Sequence, residues 1–158
     1  MKNSLLIVLL IATTSAGYAS NVSAYSQKEI DCLAENIYYE ANAEPLEGKI
    51  AVAQVTVNRS NNAKYPDSIC KVVYQKSKSG GTVTCQFSWV CERHRRKIDI
   101  EDLISARKIA IAVLSDKEGN PKLADALYFH AKHIRTSWSA VRVATIGNHI
   151  FYRDRSEM

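Results

Sequence analysis

Four glutamates stand within fourteen residues: Glu35, Glu40, Glu44 and Glu47 in the stretch ENIYYEANAEPLEG. Carboxyls this close can divide the work of general acid–base chemistry, provided that a dry setting keeps one of them protonated. Position on the helix separates them. On a wheel that starts at Ile30, Ile37 falls at about 340°, Leu33 at about 300° and Glu40 at about 280°. Glu40 therefore lies on the shoulder of the apolar stripe, whereas Glu35, at about 140°, belongs to a solvated face. A carboxyl on that shoulder near a helix C-terminus loses water and meets the negative end of the helix dipole. Both effects raise its pKa, the property a general acid needs. The ordinary alternative, a helix-edge glutamate bending into water, is left open by the wheel. Glu44 and Glu47 flank Pro45 at the start of a second helix, where the dipole favours acidic residues.

Other chemistries find less support. The histidines are His94, His130, His133 and His149. His130 and His133 lie three apart, without the glutamate and four-residue spacing of the helical zinc motif, and no compact triad of ligands follows. A Cys/His hydrolase needs a free thiol, and all four cysteines can be paired. No Gly-rich phosphate loop and no nucleic-acid motif is present, so neither metal, cofactor nor nucleic acid is expected. The aromatics are more informative: Tyr38, Tyr39, Phe87, Trp89, Tyr128, Phe129, Trp138, Phe151 and Tyr152. Several adjoin Gln86, Ser88, His130, Asn148 and His149. Rings that stack on sugar faces beside amides and hydroxyls suit a polysaccharide groove, although about half of them must serve the core.

The elements that must hold these groups read as follows. Ser26 and Glu29 form a capping box, and Ile30, Leu33, Ala34, Ile37 and Ala41 continue at helical spacing, so 27–42 is an amphipathic helix. Pro45 opens a second helix carrying Leu46, Ile50, Ala53 and Val57, although its β-branched run also allows a strand. Asn61 to Pro66 is a loop, and Asp67 or Ser68 caps a short helix through Gln75. Lys76 to Gly81 reads as a polar turn, 82–89 as a strand or hairpin, and Glu92 to Lys97 as a charged loop. Residues 99–115 form a strong helix that Gly119-Asn120-Pro121 ends. Residues 126–131 and 146–153 are short strands. The expected fold is a single α+β domain, mostly helical with a small β-sheet.

The chain's 158 residues allow one domain. Lys2 is the only charge among the first 24, Leu5 to Ala12 is unbroken apolar sequence, and small residues follow through Ala24. This is the pattern of a secretory signal peptide, cut after Ala19 or Ala24. The apolar run is shorter than the about 20 residues of a membrane span, so an uncleaved anchor is the weaker alternative. Residues 25–158 are then the working domain, periplasmic or secreted, with no stable membrane span. Without Lys2, the 21 basic and 16 acidic residues leave a net charge near +4. That suits an anionic polymer such as a cell wall, and equally ordinary solubility. Cys32, Cys70, Cys85 and Cys91 predict two disulfides in an exported chain, with three possible connectivities. Cys85 and Cys91 are close enough for a small clip, which leaves Cys32 for Cys70.

Five blocks in fixed order carry a family resemblance: CLAENIYYEANAEPLEGKIAVAQVTVNR, YPDSICKVVYQ, CQFSWVC, ALYFHA and IGNHIFYR. Together they resemble the SleB/CwlJ family of cell-wall hydrolases, over about residues 30–153. The resemblance implies a lysozyme-like fold, related to lytic transglycosylases, and cleavage of peptidoglycan between N-acetylmuramic acid and N-acetylglucosamine. It makes the first glutamate of a Glu-Ala-Arg-Gly-Glu signature the acid. That signature reads Glu40-Ala41-Asn42-Ala43-Glu44 here, so Glu40 takes the role, with Asn42 and Ala43 departing from the pattern. Gln86, Phe87, Ser88, Trp89, Tyr128, His130, Asn148, His149 and Tyr152 are expected to line or support the groove. Glu44 is the one nearby carboxylate. The partner implied is the glycan strand, met by a monomer. An amidase and a non-catalytic peptidoglycan-binding module are the rival readings.

Overall fold

A computed structural model describes residues 25–93 and 97–157. The expected signal segment, 1–24, and His94 lie outside them. Helix α1 (Gln27–Ala41) starts at the capping box, where the Ser26 side chain accepts from the Glu29 N–H. Helix α2 (Leu46–Ser60) follows a short link with Pro45 as its N-cap. A short helix, α3 (Ile69–Val73), is capped by Ser68. Helix α4 (Ile100–Leu114) is capped by Asp99, which accepts from the N–H groups of Glu101 and Asp102.

The strands form two antiparallel sheets. Strands β1 (Lys76–Ser79) and β2 (Thr82–Cys85) make an exposed hairpin across Gly80-Gly81. Strands β3 (Ala126–Ala131), β4 (Val141–Ile146) and β5 (His149–Arg153) form a sheet of order β3-β5-β4. Three sequence expectations are corrected here. Within the polar turn expected at 76–81, Lys76–Ser79 pairs as a strand and only Gly80-Gly81 turns. The 82–89 strand stops at Cys85, and Ser88–Val90 is a 3-10 turn. The single strand expected over 146–153 is the end of β4, a two-residue turn and β5. Gly147, at φ +54, supplies the positive angle that the first turn position of such a hairpin demands.

Helix α2 occupies the middle of the molecule. One of its sides meets α1, α3 and α4 in a core that includes Ile30, Leu33, Ile37, Ile50 and Ala110. Its other side, Ala51, Val52 and Val55, meets Phe151 and Ala126 of the sheet and Leu123. Such a helix is apolar nearly all round, which explains why its β-branched run is tolerated. Polar side chains fix its position: Asn58 Nδ2 donates to the carbonyls of Leu123 (2.7 Å) and Ala126 (2.9 Å). Gln54 exchanges two bonds with the Asn120 backbone. The cysteines pair as 32–70 and 85–91, tying α1 to α3 and closing a loop around Gln86–Val90. The result is the α+β fold expected from the sequence.

Candidate active site

Glu40 sits in the last turn of α1, a turn with no basic residue. It faces a cavity of about 290 Å³ lined by Arg59 of α2, Gln86, Phe87 and Ser88 of the disulfide-closed loop, Tyr128 and Phe129 of β3, and Trp138. Burial pushes the Glu40 carboxyl up to about 7; Arg59 works against that rise and Glu92 adds to it. The shoulder position read from the wheel thus becomes a dry cavity wall. At neutral pH a large share of the group carries its proton.

Two further hollows share wall residues with this cavity. One, of about 420 Å³, shares Tyr128 and Trp138 with it and adds Ser137, Ser139, Ala140, Asp154 and Arg155. The other, of about 310 Å³, shares Gln86 and adds Gln75, Ser77, Thr84 and Cys85 along the β1–β2 arm. The Glu40 cavity thus has Tyr128 and Trp138 as walls in common with one hollow and Gln86 in common with the other. Trp138, 49% exposed, offers an open ring beside it.

The expected groove residues divide into two groups. Gln86, Ser88 and Tyr128 line the central cavity. Phe87 and Trp89 are each 3% exposed. Phe87 forms part of the cavity wall. The Trp89 indole N–H donates to Asn36 Oδ1 (3.1 Å), Asn36 donates to Thr56 (3.1 Å), and Thr56 donates to the Val52 carbonyl (3.1 Å). Its ring stacks on Tyr39 at 4.4 Å between centroids. This buried chain joins α1, α2 and the 88–90 turn, so Trp89 holds the wall from behind. His130 and Tyr152 stack on each other, joined by a 2.8 Å Nε2–hydroxyl bond, and both rings meet Trp138 edge-on. Tyr128 donates to Asp154 Oδ2 (3.1 Å), and burial first, then Tyr65 and Asp154, raises its pKa.

Glu44, Asn148 and His149 meet away from the central cavity. The Glu44 side chain is 7% exposed; its Oε2 accepts from the Asn148 N–H at 2.7 Å. His149 Nδ1 lies 3.7 Å from Oε1, too long for a hydrogen bond. Burial pulls the imidazole pKa down against the opposing pull of Glu44. The imidazole is therefore neutral at neutral pH, and the pair is not an ion pair there. Glu44 pins the β4–β5 turn to the α1–α2 link. Asn42, in the same link, donates to Asp102 Oδ2 at 2.6 Å and ties α1 to the start of α4. Glu35 accepts from the Tyr74 hydroxyl.

Arg59 is the site residue that the sequence reading missed. It is 4% exposed, its Nε donates to the Leu127 carbonyl (2.7 Å), and Nη1 is buried without a hydrogen-bond partner. Its guanidinium carbon lies 5.4, 5.3 and 6.0 Å from the ring centroids of Tyr65, Phe87 and Phe129. A signal was available: Arg59 continues the buried stripe Val52, Val55, Thr56 at seven-residue spacing. Among the described residues no group of three His, Cys, Asp or Glu side chains is arranged to hold a metal ion.

The chain belongs to the cell wall hydrolase family, whose profile matches residues 43–152. Among its relatives, the spore cortex-lytic enzyme of Oceanobacillus iheyensis is 34% identical over 130 residues, 80% of this chain and 42% of that protein. That of Bacillus subtilis is 30% identical over 136 residues, 84% of this chain and 40% of that protein. The chain thus spans less than half the length of either. The fold is similar to the crystal structure of the catalytic domain of the Bacillus cereus SleB protein, with a TM-score of 0.63 and 26% identity, covering 88% of this chain and all of that one. It is also similar to the catalytic domain of the germination-specific lytic transglycosylase SleB from Bacillus anthracis (TM-score 0.62, 27% identity, 82% of this chain and 97% of that one).

Proposed function

We propose that this chain cleaves the glycan strand of peptidoglycan between N-acetylmuramic acid and N-acetylglucosamine, as a lytic transglycosylase with Glu40 as its acid. One observation carries the reading: among the described residues Glu40 is the only carboxyl lining the central cavity, and burial raises its pKa to about 7. Relatives named spore cortex-lytic enzyme and germination-specific lytic transglycosylase support the substrate and the reaction.

The protonated Glu40 gives its proton to the glycosidic oxygen as the C1–O bond breaks and positive charge develops on the sugar ring. The carboxylate left behind then takes the proton of the muramyl 6-hydroxyl, whose oxygen closes on C1 to give a 1,6-anhydro end. Glu40 is protonated again, and no water is consumed. A single carboxyl can perform both steps, whereas hydrolysis by retention or inversion ordinarily needs a second about 5–9.5 Å away. Gln86, Ser88 and Tyr128 supply polar contacts to the sugars, and Trp138 supplies a stacking face. Residues 1–24 act as an export signal, and the protein works outside the cytoplasm at the cell wall. The two disulfides support that location.

The test is clearance of purified peptidoglycan by the wild type and by Glu40→Gln, with the released ends identified. Clearance with anhydro-muramyl ends, lost in Glu40→Gln, is expected. Unchanged clearance by Glu40→Gln would overturn the assignment. Free stem peptides would indicate an amidase, and an intact wall with bound protein would indicate a binding module.

A further inference from the structure

We infer that Arg59 is a positioning residue of the reaction, a counter-charge that receives the Glu40 carboxylate in the half of the cycle when that group is an anion. The inference rests on Glu40 being the acid. Arg59 and Glu40 line the same cavity from the last turns of α2 and α1. The guanidinium is nearly sealed from solvent, yet Nη1 donates to nothing. A buried donor without an acceptor is costly, and the cost ends when an acceptor forms beside it. Loss of the Glu40 proton turns a weak neutral acceptor into a charged one, which a guanidinium meets with a charge-assisted bond.

What holds the guanidinium back is equally visible. Nε is committed to the Leu127 carbonyl, and the rings of Tyr65, Phe87 and Phe129 face the cation. Rings stabilise a guanidinium without neutralising it. A permanent Arg59–Glu40 salt bridge would hold Glu40 ionised and leave no proton to give. A cation kept nearby but unpaired permits both states. In the first step the proton passes from Glu40 to the leaving oxygen, and the new carboxylate is met by Arg59 Nη1. In the second the 6-hydroxyl proton returns to Glu40 and the contact is released. Among the described residues the other ionisable groups around Glu40 are Glu92, beyond the 88–90 turn, and Tyr128 of β3. Glu92 opposes the anion and Tyr128 stays protonated, and among the described residues Arg59 is the one cation lining the cavity.

The test is the pH profile of kcat/KM on purified peptidoglycan for the wild type, Arg59→Met and Arg59→Lys, with thermal unfolding as a check on folding. The alkaline limb reports loss of the Glu40 proton. In Arg59→Met the limb moves up by about one pH unit, because a nearby cation no longer favours the anion. Its kcat falls by about tenfold or more while KM changes little, and Arg59→Lys restores the limb. An unmoved limb in folded Arg59→Met overturns the proposal, as does a loss that appears in KM alone. If Arg59→Met does not fold, Arg59→Gln carries the test. Removing the charge while keeping a polar side chain moves the limb up in the same way; an unmoved limb overturns the proposal. Clearance that survives in Glu40→Gln would instead sink the assignment of the acid, a separate result.

Discussion

Replacing each disulfide in turn by two alanines opens two loops of very different size. Cys32 and Cys70 are separated by 38 residues, Cys85 and Cys91 by 6. Loop-closure entropy for those lengths gives stabilisations of about 3.9 and about 2.2 kcal/mol at 25 °C. Together they come to about 6 kcal/mol, comparable with the whole stability of an ordinary domain, about 5–15 kcal/mol. Their effects on activity should run the other way. The long loop joins α1 to α3, neither of whose cysteines lines the cavity. The short one encloses Gln86, Phe87 and Ser88, three of the cavity's eight lining residues. Displacing a catalytic contact by about 1 Å can cost up to about a hundredfold in rate. Urea unfolding reads the first effect, and peptidoglycan clearance under conditions where each variant is folded reads the second. Cys32→Ala/Cys70→Ala should lose more stability and keep most of its activity. Cys85→Ala/Cys91→Ala should lose less stability and at least about tenfold in kcat. The reverse stability order would refute the loop-entropy argument, and full activity in the second variant would refute the claim that the clip fixes the wall.

Gly147→Ala places a methyl 1.9 Å from Glu44 Oε2 at a residue with φ +54. Backbone strain of about 1–2 kcal/mol and loss of the carboxylate–amide bond, about 1.5–3, should lower stability by about 3–5 kcal/mol in urea. Gly80→Ala, also at positive φ but with no atom within 4 Å of the added carbon, should show only the strain. Glu40→Gln should change stability in a pH-dependent way. The folded pKa of about 7 exceeds the ordinary 4.5, so Glu40 favours folding fully below 4.5 and loses that contribution as pH rises through 7. Denaturation series should find the variant equal to the wild type near pH 4 and up to about 3 kcal/mol more stable above about pH 8. Trp138→Ala, which removes a half-exposed ring and its edge contacts with His130 and Tyr152, should lower stability by about 1–2 kcal/mol and raise KM about five- to tenfold in initial-rate assays.

The helices were legible because their signals are local. The Ser26/Glu29 box marks where α1 begins, and its wheel carries Glu40 to the edge of the core. The β4–β5 hairpin was harder to read. Gly147-Asn148 is a turn signal, but it sits between β-branched residues that can be read as one strand. Glu44 illustrates the limit of local reasoning. The helix dipole explains an acid beside Pro45, yet its partner is an amide 104 residues away. Arg59 resembles a basic residue complementing a helix C-terminus. Its burial depends on Tyr65, Phe87 and Phe129, brought together only by the tertiary fold. Whether Phe87 and Trp89 line the groove or support it was open for a similar reason: the short disulfide loop sets Phe87 in the cavity wall beside Arg59 of α2 and turns Trp89 onto Asn36 and Tyr39 of α1.

The central claim is that one carboxyl both gives and recovers the proton, with no water entering the product. Digestion of purified peptidoglycan in water enriched with heavy oxygen, followed by mass spectrometry of the muramyl ends, tests it most directly. The account predicts unlabelled 1,6-anhydro-muramyl ends from the wild type and none from Glu40→Gln. Reducing muramyl ends carrying the heavy oxygen at C1 would contradict it.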